Sequence, residues 1–124
     1  MKVLRPTYKG LVVRGDGSAG RDYDVPTANL DFQPRPKIRY GVYTATIKLA
    51  SKKFFGIACW GVGRPAKFEV HLFKFHGNLL GKKITVTLGK RLSELVAWES
   101  KERMRQKIYH DVDLARQYFA RVVK

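Results

Sequence analysis

The sequence predicts a mainly β fold: at least five short, mostly antiparallel strands followed by a C-terminal helical segment. Three features carry that prediction. Apolar and polar residues alternate in short runs through the first ninety or so positions. The connections between these runs are too short for a helical crossover, so neighbouring strands must run antiparallel. From Ser100 onward the apolar period changes from two to three and four.

The first strand is "YKGLVV" (8–13). "GVYTATIKL" (41–49) places Tyr43, Ala45, Ile47 and Leu49 on one face. "FFGIACWGV" (54–62) is a nearly continuous apolar run. "FEVHLFKF" (68–75) sets Phe68, Val70 and Leu72 against Glu69, His71 and Phe73, and "KITVTL" (83–88) sets Ile84, Val86 and Leu88 opposite Thr85 and Thr87. "DFQPRPKIRYG", "GVGRPAK" and "HGNLLG" are the intervening turns. In the tail, Met104, Ile108, Val112, Ala115, Phe119 and Val122 form a stripe that would cover the barrel or sheet, with Ser100 as its N-cap. Asp111 or Asp113 interrupts the stripe, so one helix and two are both open.

The 124 residues, 44% of them apolar, suffice for one domain with its own core, spanning 1–124. Cys59 has no partner cysteine and lies in strand-like surroundings, so it reads as a buried thiol. No signal-peptide-like run opens the chain, and nowhere is there a run of about eighteen apolar residues. A soluble, cytoplasmic protein without membrane contact is expected. The net charge of +15 points to an anionic partner or substrate: nucleic acid, a membrane surface or nucleotide phosphates. The densest basic cluster, "KERMRQK" (101–107), would lie mostly on the solvated side of a helix. No basic arm, zinc finger or RNP motif is present, so charge alone supports nucleic-acid binding.

"GDGSAG" (15–20) matches G-x-G-x-x-G, yet Pro26 follows too soon for a helix and no βαβ unit surrounds it. What remains is a glycine loop that either closes an ordinary hairpin or brings backbone N–H groups to a phosphate. Pro26 fixes its own φ and pushes Val25 toward an extended conformation. In an extended "VPTANLDF", Thr27 and Asn29 face the same way. The pair either presents two neutral oxygens to a hard cation such as Mg²⁺, or bonds the local backbone. Glu69 sits among apolar strand residues, where a carboxylate is paired, exposed or functional. It is either a general base or half of a rim salt bridge, and His71 shares its face. His71, His76 and His110 lack H-E-x-x-H spacing, and neither G-x-S-x-G nor a Walker A lysine loop occurs.

The order G-x-V-V-x-G-x-G, G-R, P-T-A-N-L, G-V-Y, E-V-H-L, L-x-G-K-x-I-x-V and I-x-x-D-V-x-x-A-R resembles the riboflavin kinase family, including the kinase module of bacterial bifunctional FAD synthetases. It covers Gly10 to about Arg116, and P-T-A-N is its specific signature. The resemblance implies a six-stranded antiparallel Greek-key β-barrel over about 6–90, with a C-terminal α-helix over about 100–123. The implied reaction is transfer of the γ-phosphoryl group of ATP to the ribityl 5′-hydroxyl of riboflavin, giving FMN and ADP. By position, Thr27 and Asn29 become ligands of Mg²⁺ (or Zn²⁺ or Mn²⁺) and Glu69 the base. Gly15, Gly17, Gly20, Arg21 and Pro26, with Thr27, Asn29 and His71, border the nucleotide. Arg91, Glu94 and Trp98 border the flavin.

The chain departs from the family pattern at Asp24-Val25 before P-T-A-N, at Pro65-Ala66-Lys67, at Lys74-Phe75 and at Leu80-Gly81. "RLSELVAWES" fits only with a one-residue shift. With no nucleotidylyltransferase module in the chain, FMN is the expected end product, and a monomer the expected state. Two rivals remain: a catalytically silent barrel that binds flavin or FMN, and a basic nucleic-acid-binding β-barrel.

Overall fold

The computed structural model describes residues 5–13, 28–31, 38–62, 66–97 and 99–122. Six strands lie within them: β1 (Thr7–Val13), β2 (Ala28–Leu30), β3 (Gly41–Leu49), β4 (Lys52–Val62), β5 (Lys67–Leu72) and β6 (Lys83–Ser93). One helix, α1 (Lys101–Val122), follows. The strands close into a barrel in the order β1-β2-β5-β4-β3-β6, every neighbouring pair antiparallel. β3, β4 and β5 form a meander, and β6 returns beside β3, which is the Greek-key arrangement.

Period-two alternation decides what fills the barrel. Phe68, Val70 and Leu72 of β5 point inward with Tyr43, Ala45 and Ile47 of β3 and Ile84, Val86 and Leu88 of β6. Ile47, Phe68, Val70 and Val86 are wholly buried. Trp60 joins this core and donates from Nε1 to the Ile38 carbonyl at 3.2 Å. The opposite faces of β3 and β4 are apolar as well, at Val42, Phe55, Ile57 and Cys59, because α1 covers them with Ile108, Val112, Ala115 and Phe119. Phe55 and Phe119 stack with ring centroids 4.4 Å apart.

The helix begins where the capping residue sets it, with Ser100 Oγ accepting the Arg103 N–H at 3.1 Å. It is a single helix: neither Asp111 nor Asp113 interrupts it. Asp111 is 3% exposed and turned inward, where Ser93 Oγ donates to Oδ1 at 2.7 Å and Lys107 Nζ donates to Oδ2. Lys107 also donates to Ser93 Oγ at 2.8 Å. The "KERMRQK" cluster is therefore not all solvated, since Lys107 turns toward the barrel. Val122, at the end of the expected stripe, is exposed: the helix has run past the sheet.

Two strand ends differ from the pattern reading. β6 continues beyond residue 90 to Ser93, its polar end bonded to α1 through Asp111. β5 stops at Leu72, because Lys74 takes φ 58° and turns the chain, while Phe73 is buried beneath the helix.

Gly56 fixes how closely β4 and β5 approach. A Cβ there would lie 2.0 Å from the His71 carbonyl oxygen, a backbone atom that cannot swing aside. Gly56→Ala is expected to destabilise the domain by about 3 kcal/mol or more, read as a lower midpoint in urea unfolding.

Candidate active site

β2 is only three residues long, yet its placement between β1 and β5 builds the site. Ala28 and Leu30 point into the core, so Asn29 between them points outward. Its cross-strand neighbours are Val13 on β1 and Glu69 on β5. Glu69 lies outward between Phe68 and Val70, and its neighbour on the far side is Cys59 of β4. Beyond Cys59 the row continues through Val42 of β3 to Ser93 of β6. Asn29, Glu69 and Cys59 thus stand side by side on the outer wall, and the Ser93–Lys107–Asp111 cluster closes the row against α1.

Asn29 is buried, and its Oδ1 has no hydrogen-bond partner among the described residues. An acceptor in that state costs free energy unless a donor or cation meets it. It therefore fits a cation ligand. Among the described residues no group of three His, Cys, Asp or Glu side chains converges as a metal site.

Burial pushes the Cys59 thiol up to about 12, and the Glu69 and Asp111 carboxylates push it the same way, while Lys107 opposes them. That set of influences places Cys59 between Glu69 and the helix cluster. The helix and the thiol shield one flank of Glu69 from water. His71, on the same face as Glu69, meets the Phe73 ring edge-on at 5.5 Å, and Arg116 of α1 lies over that ring at 5.2 Å.

Of the expected site residues, Asn29 and Glu69 are brought into direct register, with His71 beside them. Thr27, Pro26, Gly15, Gly17, Gly20, Arg21 and Trp98 lie outside the described residues. Arg91 and Glu94 belong to β6 and its end, three strand spacings or about 14 Å across the sheet from β5. The Arg91 guanidinium holds the Tyr40 carbonyl through Nε at 3.2 Å and Nη2 at 2.8 Å, and Glu94 is exposed with Arg39 at 3.6 Å. The sequence reading overlooked Cys59 as a neighbour of Glu69, and Asp111 with Lys107 as the anchor of α1. The i,i+4 spacing of those two, with an aspartate amid an apolar stripe, was the available sign.

The flavokinase family pattern, that of riboflavin kinase, matches residues 4–119. The chain belongs to the riboflavin kinase family. It is 34% identical over 122 residues to a bifunctional riboflavin kinase/FMN adenylyltransferase of Buchnera aphidicola subsp. Schizaphis graminum, covering 91% of this chain and 38% of the relative. The Escherichia coli K12 protein of the same description is 31% identical over 116 residues, covering 89% of this chain and 37% of that one. The chain thus spans well under half the length of these curated relatives. A solved Streptococcus pneumoniae structure described as a macrolide-efflux protein is 27% identical with a TM-score of 0.78, over 90% of this chain and 38% of that one. Riboflavin kinase from Trypanosoma brucei shares the fold, with a TM-score of 0.67 at 16% identity over 98% of this chain and 84% of that one. No described helix is long and apolar enough to cross a membrane.

With its pKa pushed up to about 12, the half-buried Cys59 thiol stays protonated at pH 8, where a free thiol is partly ionised. It should resist a disulfide reagent at pH 8 in the folded protein and react within the mixing time in urea. Because the folded pKa lies above the unfolded one, its contribution to stability is whole below about pH 9 and is lost as pH rises from there toward 12. Cys59→Ala should remove that part of the alkaline loss.

Proposed function

We propose that this domain is a riboflavin kinase in which Glu69 and Asn29 form the reacting centre, transferring the γ-phosphoryl group of a nucleoside triphosphate, ATP by preference, to the 5′-hydroxyl of riboflavin. The observation that supports this best is the register of Asn29 opposite Glu69, with the Asn29 acceptor buried and unanswered among the described residues. A general base and a cation ligand on adjacent strands stand close enough to act on one hydroxyl and one phosphate.

Thr27 and Asn29 would hold the divalent ion, Mg²⁺ or else Zn²⁺ or Mn²⁺. When bound, it supplies positive charge against the nucleotide phosphates. Glu69 accepts the proton of the ribityl hydroxyl as that oxygen attacks phosphorus, and the bond to the leaving ADP oxygen breaks. As the family resemblance implies, the Gly15, Gly17 and Gly20 backbone with Arg21 would offer N–H donors and charge to the phosphates, and Pro26 and His71 would border the nucleotide. Arg91, Glu94 and Trp98 lie toward the flavin ring. A substrate with a flat ring at one end and a reacting hydroxyl at the other spans the three-strand separation between β6 and Glu69. The domain acts as a cytoplasmic monomer, and the product of its reaction is FMN.

The test is incubation with riboflavin and MgATP, or MgCTP in parallel, followed by chromatographic separation of FMN. FMN that requires the divalent ion supports the kinase; saturable flavin binding with no FMN from either nucleotide marks a silent binding barrel instead. Glu69→Gln should lower kcat by about 10²- to 10⁴-fold while MgATP binding, measured by calorimetry, is kept. Asn29→Ala should weaken MgATP binding by about tenfold or more and lower turnover with it. Wild-type rates in both variants would remove this mechanism.

A further inference from the structure

We propose that the outer face of β1, β6, β3 and β4, away from α1, is a docking surface for the phosphate backbone of a nucleic acid. The strand register builds it. Lys9 of β1 stands opposite Thr85 of β6, Thr85 opposite Lys48 of β3, and Lys48 opposite Lys53 of β4. Lys83 lies two residues before Thr85 on β6 and so on the same face. All four lysines are exposed, and none has an ion pair among the described residues.

The four strands contain no aspartate or glutamate. Of the described carboxylates, Glu94, Glu99 and Glu102 each face an arginine, Asp111 faces Lys107, Asp113 lies on α1, Glu69 belongs to the reacting row, and Asp31 after β2 accepts the Leu11 N–H of β1 at 3.0 Å. Four of the chain's 25 basic residues thus stand together on this face with no carboxylate on the strands that carry them. One nucleotide at the Glu69 row does not reach as far as Lys53. Lys53 is six residues along β4 from Cys59, about 20 Å.

The surface chemistry selects a nucleic acid over a membrane. The exposed large apolar residues, Tyr40, Leu80, Val96, Tyr109 and Val122, lie outside these four strands, so nothing on the face would enter a bilayer. Lysines interleaved with threonine hydroxyls are groups that bind phosphate oxygens. Lys9 and Lys48 are two strand spacings apart, about 10 Å, so one backbone can meet both. With no exposed aromatic on the face to stack bases, contact is with the backbone and independent of sequence.

The experiment measures binding of the whole chain to fluorescein-labelled RNA duplexes of two unrelated sequences, by anisotropy across a salt series. Wild type should bind both alike at about 50 mM salt, weakening steeply as salt rises. Lys9→Glu/Lys48→Glu/Lys53→Glu should lower affinity by about 100-fold or more and flatten the log–log salt slope by about three units, with FMN formation unchanged. The matched reversal on the helix, Lys101→Glu/Arg103→Glu/Arg121→Glu, should cost less than about tenfold. A parallel Lys→Gln triple on the sheet face, checked by circular dichroism, guards against a folding defect. Equal losses in the face and helix variants would overturn the proposal in favour of diffuse charge. So would absence of duplex binding by wild type, or binding to phosphatidylserine vesicles but not to duplex. Kinase activity is a separate readout, so this surface and the reacting centre stand or fall independently.

Discussion

A six-stranded barrel has no room for a ligand inside, and this constraint governs where everything else sits. Barrel diameter grows with strand number, and at six strands the inward side chains meet across the axis. Here they do: Ile47, Phe68, Val70 and Val86 are wholly buried in one cluster fed by every strand. Chemistry is therefore confined to the outer wall, to the alternate residues that the core does not claim. Asn29, Glu69 and His71 are three such residues, and each is flanked in sequence by side chains that fill the barrel. The stiffness of the site follows from this. A shift of Glu69 by one position in register would turn Phe68 or Val70 into solvent, so the core itself holds the carboxylate opposite Asn29.

The outer wall is divided by α1. Where the helix lies, over Val42, Ile57 and Cys59, the wall is apolar and the helix completes a second core. The Ser93–Lys107–Asp111 cluster pins it there. A buried ion pair gains little net stability, because its Coulomb attraction is offset by desolvation; satisfied hydrogen bonds make it selective for one arrangement. Asp111 receives both a hydroxyl and an ammonium, and Lys107 reaches both partners. The apolar stripe would tolerate some sliding of the helix along the sheet, whereas this cluster forbids it. Since Cys59 lies between the cluster and Glu69, the position of α1 sets what covers the flank of the proposed base.

Much of this was legible in the sequence. Alternation in β3, β5 and β6 assigned inward and outward residues as the structure has them, down to Phe68 against Glu69. The period change at Ser100 marked the helix, and the serine hydroxyl does cap it. β2 was different: three residues give no period, and Asn29 drew notice through its two-residue spacing from Thr27 and through the P-T-A-N resemblance. Its pairing with β5 joins residues forty positions apart, which local pattern does not encode. The stripe alone leaves open whether Asp111 or Asp113 breaks the helix, because an aspartate there is costly when unpaired; the partner of Asp111 on β6 is supplied by the fold. Phe73 was grouped correctly with Glu69 and His71, but the outward direction is not the same as solvent where a helix lies above.

The charge distribution follows from the same division. On the helix side, carboxylates have uses, as the proposed base at Glu69 and as the anchor at Asp111. On β1, β3, β4 and β6 the outward positions include Lys9, Lys48, Lys53 and Lys83, the threonines between them and Leu11, with Lys53 lying 5.5 Å over the Phe55 ring that stacks on Phe119 of α1. Lysine at unprotected strands also limits edge-to-edge association, but a closed barrel has no free edges to defend. Nor does the core require it, since the inward residues on these strands are apolar whichever polar side chain faces out. Folding thus leaves the sign of this face undetermined, and repulsion among like charges about 5–10 Å apart opposes the compact state. Four exposed lysines on strands that carry no carboxylate make this the face an anion would meet from outside.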